Sequence, residues 1–99
     1  MKFVEFHELA EKELINSRDY YDNLIFGLGK KFILEVEHVI ERIKNNPSAF
    51  PQYFEKFRKA LLRKFPYSII YKDDGLKIFI LAIAHQKRRP KYFVRRISY

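Results

Sequence analysis

The chain has 99 residues, 47% of them hydrophobic and 17% aromatic, which fits one domain over residues 1–99 and argues against a disordered tail. It has no Cys, which excludes disulfides and thiolate metal sites, and no stretch approaches the roughly 18 apolar residues of a membrane helix. The formal charge of +8 is uneven: residues 1–54 carry seven Lys and Arg against nine Asp and Glu, whereas residues 55–99 carry thirteen against three. That asymmetry points to a polyanionic or acidic partner for the C-terminal half, or to a plain solubility surface on a small basic protein.

Lys2-Phe3-Val4-Glu5-Phe6 is short, aromatic and β-branched, and reads as an opening edge strand. Neither it nor Met1 before it has the apolar core or cleavage site of a signal peptide, so a cytoplasmic protein is expected. From His7 the period changes. Ala10, Leu14, Ser17, Tyr21, Leu24 and Leu28 recur at helical steps, and Glu8, Glu11 and Glu13 suit the positive end of the helix dipole. Gly27-Leu28-Gly29 is expected to stop this helix. A second amphipathic helix follows through Phe32, Ile33, Val36, Val39, Ile40 and Ile43, ended by Asn45-Asn46-Pro47. So short a connection makes the two helices an antiparallel hairpin, whose apolar stripes need a sheet to cover.

Pro47 to Gln52 reads as a connection, with Phe50 plugging it to the core. Three strands are then expected in series: Phe57 to Arg63, Pro66 to Lys72, and Leu76 to His85. Asp73-Asp74-Gly75 is a strong hairpin signal because it suits positive φ angles. The run Ile78 to Ala84 is apolar without a break, the mark of a strand covered on both faces. Tyr67 and Tyr71 share a strand face with Ile69 and belong to the core. The expected class is α+β, in the order β-α-α-β-β-β, with the helix hairpin on a small, mainly antiparallel sheet.

Most enzyme templates are missing. There is no glycine-rich phosphate loop, and His7, His38 and His85 are too scattered for a metal site, so neither cofactor nor metal is expected. Glu37 and His38 are neighbours on a helix and do not share a face. What remains is basic and aromatic: Arg58, Lys59, Arg63 and Lys64, then His85, Lys87, Arg88, Arg89, Tyr92, Arg95 and Arg96. Such a set suits phosphates and bases, or the carboxylates of an acidic protein, and charge alone does not choose. His85 ends the apolar run, where it is either a general acid or base or a strand-end side chain bonded to backbone. Pro90 is expected to turn Arg88, Arg89 and Tyr92 back over the sheet.

The order Gly29-Lys30-Lys31-Phe32, Asn46-Pro47, Arg63-Lys64-Phe65-Pro66-Tyr67-Ser68-Ile69-Ile70-Tyr71 and His85-Gln86-Lys87-Arg88-Arg89-Pro90 resembles the RelE/ParE superfamily of bacterial toxins, nearly end to end. The resemblance implies the toxin of a type II toxin–antitoxin module, in a hetero-oligomer with a cognate antitoxin whose acidic or amphipathic segment covers the basic patch. In the RelE branch it implies a metal-independent endonuclease acting on ribosome-bound mRNA. In the ParE branch it implies inhibition of DNA gyrase without a known hydrolytic site. Membrane partners are implied in neither.

Carried across residue by residue, the resemblance favours ParE. Lys59 matches a lysine of the RelE strand, but the next lysine position falls on Leu61 and a strand arginine falls on Ser68. Lys87 or Arg88 stands for a second arginine, and the terminal tyrosine position falls on Phe93, with Tyr92 beside it. Missing cations would leave transition-state charge unstabilised. The candidate catalytic set for the RelE alternative is therefore Lys59, Arg63, His85, Arg88 and Tyr92. The target- or nucleic-acid-binding set is Arg58, Lys59, Arg63, Lys64, Lys87, Arg88, Arg89, Arg95 and Arg96. A basic binding module with a decayed toxin fold is the third reading.

Overall fold

The computed structural model describes residues 2–97. An edge strand β1 (Phe3–Phe6) leads through His7 into helix α1 (Glu8–Leu24). His7 caps that helix, its Nδ1 accepting the Leu9 amide hydrogen at 3.0 Å, a task more often done by Ser or Asp. Helix α2 (Leu28–Asn45) follows, burying Phe32, Val36, Val39 and Ile43 as its period requires.

The hairpin between them differs from the sequence expectation. Helix α1 stops at Leu24, and Gly27 alone takes the left-handed conformation, with φ of 86°. Leu28 and Gly29 already belong to α2. Gly29 serves close packing: its amide donates to the Asp22 carboxylate at 2.7 Å, and a Cβ there would overlap the Arg18 carbonyl.

Four further strands are β2 (Gln52–Phe54), β3 (Phe57–Leu61), β4 (Tyr67–Asp73) and β5 (Lys77–His85). They form one five-stranded sheet in the order β1-β5-β4-β3-β2, with only the β1–β5 pair parallel. Strand β2 was not expected: its first residue, Gln52, ends the segment read as a connection, and Tyr53 and Phe54 carried no assignment. Three residues are too few to display an alternating pattern, so the sequence carried no signal for it. At the expected hairpin, Gly75 has φ of 96° and the Asp73 carboxylate accepts both the Gly75 amide and the Lys2 ammonium. Those two bonds hold the Asp73 carboxyl below its usual range.

The sheet separates two cores. Tyr67, Ile69, Tyr71, Ile78, Ile80 and Ile83 face the helices and meet Phe32, Val36 and Ile43, while Phe50 plugs the near end. Ile70, Leu81, Ala82, Phe57 and Phe93 form the second core on the opposite, helix-free face. A bulge permits this: Ile70 pairs with Ala82 but Tyr71 pairs with Ile80, so Leu81 is the extra residue and turns with Ala82 to the second core. A C-terminal 3₁₀ helix (Tyr92–Arg96) completes that face. No helix among the described residues is long and apolar enough to cross a membrane.

The buried tyrosines make the fold alkali-sensitive. Burial pushes the phenols of Tyr21 and Tyr71 up from 10.0 to about 12. Tyr71 donates its hydroxyl proton to the Pro47 carbonyl at 2.5 Å and has no exposed surface. A folded-state pKa raised above the unfolded one stabilises fully below the unfolded value and loses that stability as pH rises through the folded one. Thermal melts should therefore give a flat Tm up to pH 10 and a steep fall between pH 10 and 12. Replacing Tyr71 with Phe should flatten part of that fall.

Candidate functional site

Helices protect one face of the sheet, so the other needs a different roof. The long stems of Lys and Arg supply it, lying over rings while their charges stay in water. Lys59 sits 4.6 Å from the Tyr53 ring centroid, Lys91 5.3 Å from Phe54, and Lys72 5.6 Å and 5.9 Å from Phe57 and Phe79. Arg88 stacks on Tyr92 at 3.9 Å. Among the described residues, Lys59, Lys72, Lys87, Arg88, Arg89, Lys91 and Arg95 form no ion pair, since the six salt bridges all use other cations. Lys59, Lys72, Arg88 and Lys91 thus give the open face positive charge outside the ion pairs among the described residues.

Within it lies a cavity of about 100 Å³ lined by Lys59, Ser68, His85, Arg88, Arg89 and Tyr92, among others. Four of the five candidate catalytic residues meet here: Lys59 from β3, His85 from the end of β5, and Arg88 and Tyr92 from the segment that Pro90 turns back. Arg63 does not join them. The Tyr92 hydroxyl and one ring nitrogen of His85 are engaged within the chain. His85 Nδ1 accepts the Lys87 amide hydrogen at 3.0 Å, and its ring meets Tyr67 edge-on at 5.0 Å. The Tyr92 hydroxyl donates to Glu13 Oε2 at 2.6 Å, and burial together with that carboxylate raises its pKa. Ser68, 2% exposed, offers only a small hydroxyl where the RelE resemblance would need a guanidinium. The lining is cationic, with Lys59, Arg88 and Arg89 around the opening.

Other expected binding residues lie apart from it. The Arg58 guanidinium points back to the Phe50 carbonyl at 2.6 Å, tying β3 to the segment before it. Arg96 is turned inward: its side chain is 10% exposed and makes a bidentate pair with Glu13, at 2.9 Å and 2.7 Å. Both guanidinium groups are thus engaged within the chain, unlike the other members of the expected binding set on the open face. Arg63 and Lys64 are exposed but line a second concavity on the helix side, a groove of about 980 Å³. Tyr21, Leu28, Leu34, Val39, Phe65 and Pro66 give it an apolar floor, and Lys31 and Arg42 add charge. Its carboxylate, Glu35, is occupied with the backbone amides of Arg63 and Lys64. Arg95 and Lys87 remain exposed on the surface. No group of His, Asp and Glu suited to a metal ion occurs among the described residues.

Sequence reasoning missed Glu13. It was read as one of three carboxylates at a helix start, yet it holds Tyr92, Arg96 and the Ile83 amide. No local pattern signals a partner some 80 residues away.

The fold and this face can be set beside known proteins. A solved structure, described as the chromosomal ParDE TA system from P. aeruginosa, shares the fold with a TM-score of 0.63 at 23% identity, over 86% of this chain and 96% of that one. Toxin ParE2 of Mycobacterium tuberculosis, from strains CDC 1551 / Oshkosh and ATCC 25618 / H37Rv alike, is 31% identical over 93 residues, covering 93% of this chain and 89% of the relative. The family described as ParE toxin of type II toxin-antitoxin system, parDE, matches residues 4–90. The chain belongs to the ParE toxin family of type II toxin–antitoxin systems.

Proposed function

We propose that this toxin arrests growth by binding DNA gyrase through its open sheet face, as a non-hydrolytic inhibitor, and that a cognate antitoxin restrains it. The observation that carries the reading is the cavity itself. Cations converge there, while the Tyr92 hydroxyl is tied to Glu13 and one ring nitrogen of His85 to the Lys87 amide. Such a site attracts anionic groups, and with the Tyr92 hydroxyl held by Glu13 it lacks a free partner for His85 in acid–base cleavage. Purified protein should inhibit gyrase supercoiling; no effect at micromolar excess would overturn the target.

The antitoxin is assigned to the groove beside α2. An apolar floor rimmed by Lys31, Arg42, Arg63 and Lys64 complements an amphipathic segment bearing carboxylates. This differs from the sequence expectation, in which an acidic or amphipathic antitoxin segment covers the basic patch with Arg88 and Arg89; the apolar floor of the groove supports the helix-side reading. A RelE-like reading keeps one point in its favour, the meeting of Lys59, His85, Arg88 and Tyr92 in one cavity. Toeprinting on stalled ribosomes discriminates, since A-site cuts would establish the nuclease.

A further inference from the structure

Strand β1 ends at Phe6, level with Ile80, so the outer edge of β5 beyond that point has no strand to pair with among the described residues. Two side chains close it instead. Arg96 Nη1 donates to the Leu81 carbonyl at 3.0 Å, and the Ile83 amide donates to Glu13 Oε1 at 3.0 Å. Glu13 therefore accepts from four donors at once: the Ile83 amide, the Tyr92 hydroxyl and two guanidinium nitrogens of Arg96. That many charge-assisted bonds on one carboxylate, 15% exposed, leave it little freedom. The Tyr92 ring, held by its hydroxyl, has the Arg96 guanidinium 5.1 Å from its centroid and Arg88 stacked at 3.9 Å.

We propose that Glu13 is the positioning residue of the open face: through Tyr92 it fixes the ring on which Arg88 lies, and so sets the Arg88 guanidinium at the cavity. Arg88 forms no ion pair among the described residues, so this ring is its principal fixed contact. A guanidinium laid on a held ring loses less freedom on meeting an anion than one swinging in water. The inference rests on the open face being the working surface.

The test separates the two claims. In the free protein, NMR should show the Arg88 side-chain protons shifted upfield by the Tyr92 ring. Glu13→Gln should lower that shift, and so should Tyr92→Phe, which keeps the ring but removes the hydroxyl that Glu13 holds; Tyr92→Leu removes the ring itself and sets the zero of the shift. Growth-arrest potency is then scored per folded molecule, at a temperature well below Tm. Glu13→Gln and Arg88→Ala should each lower potency by about tenfold, and the double variant no further, as for groups acting as one unit. An unchanged Arg88 shift in Glu13→Gln and Tyr92→Phe overturns the proposal, and so does full additivity of the two losses. An Arg88 shift that depends on Glu13, with Arg88→Ala fully toxic, would instead sustain the positioning and overturn the surface reading.

Discussion

Lys59→Glu combined with Arg88→Glu is expected to abolish growth arrest while the protein still folds. Both cations lie over rings of the second core, at 4.6 Å from Tyr53 and 3.9 Å from Tyr92, and neither offsets a carboxylate among the described residues. Losing two cation–π contacts costs about 1–2 kcal/mol of stability. The effect on an anionic partner is larger, because each reversal removes an attraction and adds a repulsion of several kcal/mol in a close interface. A loss of potency beyond about a hundredfold follows, since each 1.4 kcal/mol is a factor of ten. Induction without antitoxin, with Tm measured alongside, checks it. Toxicity retained by a folded double variant would remove the open face from consideration. The matching reversal on the other side, Arg63→Glu with Lys64→Glu, should spare toxicity and weaken antitoxin binding, most visibly at low salt.

Phe32→Ala should destabilise the protein more than any surface change. The ring has no exposed area and meets Tyr21, Phe65 and Tyr67 at centroid distances of 5.4 Å, 5.3 Å and 5.0 Å. Truncating such a buried ring costs about 3–5 kcal/mol through lost burial and the cavity left behind. In a domain of this length that lowers Tm by roughly 15–30 °C. Leu34→Ala, two positions on and 54% exposed, should change stability by less than about 1 kcal/mol and serves as the control. Similar melting shifts for the two variants would contradict the packing described.

The sequence was most legible where its signals are local. The α2 stripe from Phe32 to Ile43, the Asp73-Asp74-Gly75 hairpin and the unbroken β5 run all appeared where periodicity and turn residues placed them. The family was legible too, because its motifs lie in those same segments. Strand β2 was not, being too short for a period, and the exit from α1 was misjudged because Gly27 and Gly29 serve different needs.

For this protein, then, sequence by itself determined the helix hairpin, the antiparallel strands from Phe57 onward, the toxin family and the crowding of positive charge into the C-terminal half. Periodicity, turn chemistry and composition are properties of neighbouring residues, and they survive without a third dimension. Only the tertiary structure decided where each cation points. It turned Arg96 and Arg58 inward, set Arg63 and Lys64 beside the helices, and gathered Lys59 and Arg88 on the open face. It alone revealed Glu13, whose bonds to Tyr92 and Arg96 span 79 and 83 residues of chain. The direction of a long charged side chain depends on which carboxylate, carbonyl or ring the fold brings within reach, and that is a non-local fact.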